Sequence, residues 1–125
     1  MCNRRDTHHD WTLAALRAVT GALTTCEPVL TEACFLLKQV FGAADELFEL
    51  MERGLLRLEF SVATEYKRVQ HLMNRYANLP TSLADACLVR MAELHPTSRI
   101  MTLDRDFTVY RRHGRQAIPL LAPFA

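Results

Sequence analysis

Long hydrophobic runs are absent from this chain. No apolar stretch approaches the ~20 residues a membrane-spanning helix needs, and the polar start, Met1 to Asp6, lacks the apolar stretch of a signal peptide. A cytoplasmic protein without a membrane partner is the expectation. The four cysteines (Cys2, Cys26, Cys34, Cys87) form no CxxC pair and follow no regular spacing, which speaks against a zinc motif or a disulfide framework. They read instead as small buried hydrophobes in a reducing compartment. A strong excess of one charge is missing as well, the formal net charge being +1. The charges are segregated: Arg105, Arg111, Arg112, His113 and Arg115 crowd the C-terminal region, and Lys67, Arg68, His71 and Arg75 follow a helical spacing.

What is present is enough for one buried core. With 125 residues, half of them apolar, residues 1–125 are expected to form a single domain. The periodicity predicts helices over Asp10–Thr20, from Pro28 to Phe41, and over Ala43–Arg53, Ala63–Tyr76, Ser82–Leu94 and Asp104–Arg112. Strands are predicted at Ala22–Thr25, Leu55–Phe60, Arg99–Leu103 and Ala117–Leu121, the last demoted to an edge by Pro119. Alternating strands and helices imply a three-layer α/β/α fold around a mainly parallel sheet of four visible strands. Such a sheet ordinarily opens with a strand, and the polar residues Met1 to Thr7 cannot supply one. Phe35, Phe41, Phe48 and Phe60 fall on apolar stripes and are assigned to the core.

The chemistry-bearing residues are acids. Glu32, Asp85, Asp104 and Asp106 are each placed near a helix start, and in parallel α/β folds such starts gather at the carboxyl edge of the strands, where ligands bind. Glu32 shares its helical stripe with Val29, Ala33, Leu36 and Val40, a costly place for a lone carboxylate. Each acid also has a purely structural explanation. Glu32 could lie at the stripe's edge near the positive end of the helix dipole. Asp85 completes a capping box with Ser82, Asp104 could be an N-cap, and Asp106 suits a first helical turn. Brought together they need more, because two carboxylates ~4 Å apart repel by about 4 kcal/mol at an effective dielectric near 20. With no lysine among them, a hard cation, Mg²⁺ or Mn²⁺, is the simplest compensation.

The segment Ser82-Leu83-Ala84-Asp85-Ala86, followed by Thr102-Leu103-Asp104-Arg105-Asp106-Phe107, resembles the C-terminal half of a PIN domain. Val29-Leu30-Thr31-Glu32-Ala33 is similar to the stretch carrying that family's second acid, and Asn3 to Trp11 is similar to the loop and helix after its first strand. The resemblance implies a Mg²⁺- or Mn²⁺-dependent endoribonuclease, most often the VapC-like toxin of a toxin–antitoxin pair. Glu32, Asp85 and Asp104 would then be catalytic metal ligands and Asp106 a fourth acid, with Thr102 or Ser82 offering a hydroxyl. The ion would polarise a phosphoryl oxygen and activate water for in-line attack on an RNA phosphodiester.

The chain departs from the family in one respect. The family's first, central strand and its terminal aspartate have no counterpart, and Asp6, in the following loop, is no substitute. Weak or absent nuclease activity is therefore expected. The alternative is a catalytically incomplete PIN-like module acting in dimerisation or in protein or RNA binding.

Other features are read more modestly. Arg105, Arg111, Arg112 and Arg115 could track an RNA backbone or form a solvated face. His8 and His9 read as surface residues. The resemblance makes the 43–53 helix a candidate surface for a homodimer or an antitoxin, burial beneath neighbouring helices being the other explanation.

Overall fold

The computed structural model of the chain describes residues 11, 14, 15, 18, 22–41, 44–102 and 105–122. Those residues form a mixed α/β arrangement whose short strands pair mostly in parallel, as three two-stranded ladders among the described residues. The chain forms two compact units, Met1–Glu59 and Phe60–Ala125.

In the first unit, Trp11, Ala14, Ala15 and Ala18 are helical, as their spacing predicts. Strand β1 (Leu23–Thr25) then runs parallel to β2 (Leu56–Leu58), with Thr24 opposite Arg57. Between them lie helices α1 (Glu27–Phe41) and α2 (Asp45–Glu52). Pro28, the second residue of α1, has a fixed φ suited to a first turn and no N–H to leave unpaired. Helix α2 ends where Gly54 takes φ +74°, so that Gly54 N–H reaches the Met51 carbonyl and Leu55 N–H the Leu50 carbonyl. These are the paired bonds of a Schellman stop, which turn the chain directly into β2. Two core assignments fail here: Phe35 is 63% exposed and Phe48 53%. Helix α2 contains no fully buried residue, but Leu47, Leu50 and Met51 are half-covered while Phe48 faces solvent.

In the second unit, helix α3 (Val62–Arg75) starts at Ser61, whose hydroxyl accepts from Thr64 N–H, and packs along α4 (Leu83–Leu94). Val69 and Leu72 from α3 and Ala86, Cys87 and Val89 from α4 are buried. The chain continues into β3 (Ile100–Met101), a 3₁₀ turn (Arg105–Thr108), β4 (Arg111–Arg112), β5 (Gln116–Ala117) and β6 (Leu120–Leu121). Two expectations are corrected in this stretch. Of the helix predicted over Asp104–Arg112, the described residues form only the 3₁₀ turn and then β4, the Arg111 guanidinium donating to the carbonyls of Thr108, Val109 and Tyr110 and closing the turn. The strand predicted over Ala117–Leu121 is two strands: β5 pairs antiparallel with β4, and β6 pairs parallel with β3. Pro119, which cannot donate to a ladder, sits at the switch and gives its carbonyl to Ile100 N–H.

One polar group organises this unit. The Glu93 side chain is wholly covered, yet it accepts from Arg68 Nε and Nη2 at 2.9 and 2.7 Å, from Arg90 Nη1 at 3.2 Å and from the His113 N–H at 2.7 Å. Arg90 also pairs with Glu65 at 2.9 Å, so two helices and the β4–β5 turn converge on one carboxylate. Burial alone would raise the Glu93 pKa. The bonds from Arg68, His113 and Arg90 outweigh it and hold the group at about 2, against an ordinary 4.5.

Because the folded-state pKa is depressed, this contribution is complete above the unfolded-state value and is lost as pH falls through the folded one. A shift of that size corresponds to about 3 kcal/mol. Urea unfolding followed from about pH 5 down to about pH 2 is expected to show that loss in the wild type. Glu93→Gln should be destabilised by about 3 kcal/mol at neutral pH, since it leaves part-covered Arg68 without a carboxylate and Arg90 with Glu65 alone. Its stability should also be flatter across the acid range; equal acid sensitivity in both proteins would contradict the assignment.

Candidate functional site

The acids fall into different situations. Asp85 is half-buried in the first turn of α4, where its Oδ2 accepts from Ser82 N–H at 3.0 Å and the Ser82 hydroxyl accepts from Asp85 N–H at 3.1 Å. The capping box read from the sequence is thus fully formed. A carboxylate has about four lone-pair sites, so one such bond does not exhaust Asp85 as a donor to a cation.

Asp106, half-buried in the 3₁₀ turn, accepts at its backbone carbonyl from Val109 N–H at 2.9 Å and from Tyr110 N–H at 3.3 Å. A hydroxyl link joins the neighbourhoods of these two acids. Thr81, directly before the α4 cap, lies 3.0 Å from the Tyr110 hydroxyl. Tyr110 is fully buried, and it meets Tyr76 and Phe107 edge to face, with ring centroids 4.9 and 5.0 Å apart. The Tyr76 hydroxyl in turn accepts from Arg111 N–H at 2.9 Å. The start of α4 and the end of the 3₁₀ turn are therefore tied through buried aromatic residues. Tyr76 ends the apolar stripe of the helix predicted over Ala63–Tyr76, whereas Tyr110 carries no advance signal beyond a hydroxyl-bearing ring among apolar residues.

Glu32 differs from its expectation. It is exposed, and it is the sixth residue of α1, one turn beyond the first-turn acid Glu27. A solvated carboxylate carries no desolvation cost, so the argument that its burial demands a cation does not hold. Asp104, along with Asp6, His8 and His9, lies outside the described residues. Thr102 is half-buried and donates its N–H to the Leu121 carbonyl.

Among the described residues, no group of three or more His, Cys, Asp or Glu side chains is assembled to hold a metal ion. Asp85 and Asp106 supply oxygen donors suited to a hard cation, but two acids do not complete a ligand set. Cys26 and Cys87 are buried and Cys34 half-buried. No helix among the described residues is long and apolar enough to cross a membrane.

The arginines divide by role. Arg111 closes the 3₁₀ turn, and Arg112 donates to the Pro96 carbonyl at 2.7 Å and to Gln116 Oε1 at 3.2 Å. Arg105 and Arg115 are exposed.

The buried link is open to direct test. Tyr110→Phe keeps the ring and removes the hydroxyl, and is expected to cost about 1 kcal/mol in urea unfolding. Ser82→Ala should cost about as much through loss of the cap. A Tyr110→Phe protein as stable as wild type would remove the hydroxyl from the account. No model of a known protein family matches the chain, and no curated protein matches it.

Proposed function

We propose that the chain is a metal-dependent endoribonuclease of the PIN type, related to VapC-like toxins and built on a three-layer α/β/α fold, its activity weakened by the lack of the family's first acid. The observation that supports this reading is the Thr81–Tyr110 hydroxyl contact, which joins a residue four before Asp85 to a residue four after Asp106. Thr81, Asp85, Asp106 and Tyr110 all belong to the second compact unit.

In this reading Asp85, Asp104 and Asp106 hold Mg²⁺ or Mn²⁺. When bound, the ion supplies charge stabilisation at a phosphoryl oxygen and a lowered pKa for water. The chain's own contribution is to fix the acids: the Ser82 cap orients Asp85, and the 3₁₀ turn sets the direction of Asp106. Arginines around the turn offset phosphate charge. An antitoxin and a second copy of the chain are partners that the same reading suggests, and the uncovered Phe48 of α2 is a natural contact for either.

One observation favours a second reading, an incomplete PIN-like module that binds without cleaving: Glu32 is solvated, and no complete ligand set is formed among the described residues. Cleavage of a labelled RNA in Mn²⁺ separates the two. Cutting that Asp85→Asn and Asp104→Asn each reduce by about a hundredfold supports the nuclease. Glu32→Gln reports whether that acid contributes. Absence of Mn²⁺-dependent cutting by the wild type, with RNA binding intact, would transfer the conclusion to the binding module.

A further inference from the structure

Helix α3 presents two chemically different sides. Its only acid, Glu65, is half-buried and paired with Arg90, and Arg68 is drawn to the covered Glu93. The exposed positions are Ala63, Thr64, Tyr66, Lys67, Gln70, His71, Asn74 and Arg75, a face with no carboxylate. Lys67, His71 and Arg75 succeed one another at four-residue steps, about 6 Å apart along the axis. Beside them, at the same step, run Tyr66, Gln70 and Asn74. Tyr66 is 54% exposed, a large ring held out in solvent on the face that carries Lys67 and Arg75.

This line continues beyond the helix. Arg75 lies at the last turn of α3 and donates to the Gly114 carbonyl at 3.0 Å, its guanidinium 5.6 Å from the Tyr76 ring centre. Gly114 has φ +75°, and a Cβ there would come 3.0 Å from Arg75 Nη1, so glycine permits the approach. The turn adds the exposed His113 and Arg115, and the sequence holds no acid from Phe107 to Ala125. Arg75, Arg111 and Arg112 are anchored by backbone carbonyls, and among the described residues none of them is paired with a carboxylate. Their positions are fixed while their charge stays uncompensated.

We propose that the outward face of α3, continued by the 113–115 turn, binds a single strand of RNA. Lys67, Arg75 and Arg115 follow the phosphates, Tyr66 stacks on a base, and Gln70 and Asn74 offer amides to base edges and 2′-hydroxyls. An aromatic platform beside a cationic track is the arrangement that single strands require and a duplex, with its bases already stacked, does not use. The proposal shares with the nuclease reading only the class of substrate. It uses none of the metal-site acids and needs no metal.

The test is fluorescence anisotropy of a labelled oligouridylate of about 12 nucleotides, in EDTA, over a range of salt. Tyr66→Ala is expected to weaken binding about tenfold and Tyr66→Phe to restore it, since stacking needs the ring and not the hydroxyl. The double variant Lys67→Gln, Arg115→Gln should reduce the slope of log affinity against log salt by about 1.4, at ~0.7 per phosphate contact on a single strand. Unchanged affinity in Tyr66→Ala, equal binding of a duplex, or displacement of RNA by polyglutamate of equal charge would each overturn the proposal. Intact binding without Mn²⁺-dependent cutting would count against the nuclease reading alone.

Discussion

The covered carboxylate of Glu93 constrains the second unit more than any apolar contact does. A charge taken out of water costs several kcal/mol, recovered only if its oxygens are filled with good geometry. Here the partners come from three places: Arg68 on α3, Arg90 one turn earlier on α4, and the His113 N–H in the β4–β5 turn. Small alanines on α4 fill with a neighbour's atoms in many relative positions. A forked guanidinium at 2.9 and 2.7 Å fits in few. The network therefore fixes how far α3 slides along α4, and where the hairpin turn meets them. Arg68 is held above its ordinary pKa by the same hydrogen bond.

That constraint extends to the acids of interest. His113 has φ +52° and is followed by Gly114 at φ +75°, a left-handed turn that a non-glycine residue adopts at a cost. The bond from its N–H to Glu93 offsets the cost and sets the direction of β4. From β4 the backbone leads back through Arg111, whose N–H is bound by the Tyr76 hydroxyl, to Tyr110 and Thr81. The start of α4, with Asp85, is thus held by the Ser82 cap and by a chain of polar contacts that ends at Glu93.

Much of the fold was legible in the sequence because local signals and tertiary packing agree. Gly54 ends α2 as a C-terminal glycine should, Ser82 and Asp85 close their box, and the helices from residues 28, 43, 63 and 82 stand within a residue or two of their predicted bounds. Periodicity failed where stretches were short: in Asp104–Arg112 the described residues form only a 3₁₀ turn and then β4, and in Ala117–Leu121 a proline divided the strand between two partners. The acids show the limit of the method more sharply. The argument that an acid on an apolar stripe must be compensated was applied to Glu32, which is solvated. It holds for Glu93, four residues after Val89 and seven after Ala86 on the covered side of α4. Periodicity identifies a stripe, but only the neighbouring elements decide whether it is covered, and no neighbour of α1 could be read from spacing alone.

The same network gives α3 its outward character. Lys67, Arg68, His71 and Arg75 read in sequence as one basic cluster, yet Arg68 lies a helical step of about 100° from Lys67 and is drawn to Glu93. Glu65, which stands three residues before Arg68 and could have paired with it along the helix, is taken by Arg90. One covered carboxylate and its arginines thereby remove from the exposed side both the only acid of α3 and one cation that would otherwise have paired with it. What remains outside is positive and ends in an arginine whose hydrogen bonds go to a backbone carbonyl. Turning Glu65 and Arg68 inward leaves Lys67 and Arg75 on the exposed side with no carboxylate of α3 beside them, and on that separation the proposed RNA-binding face rests.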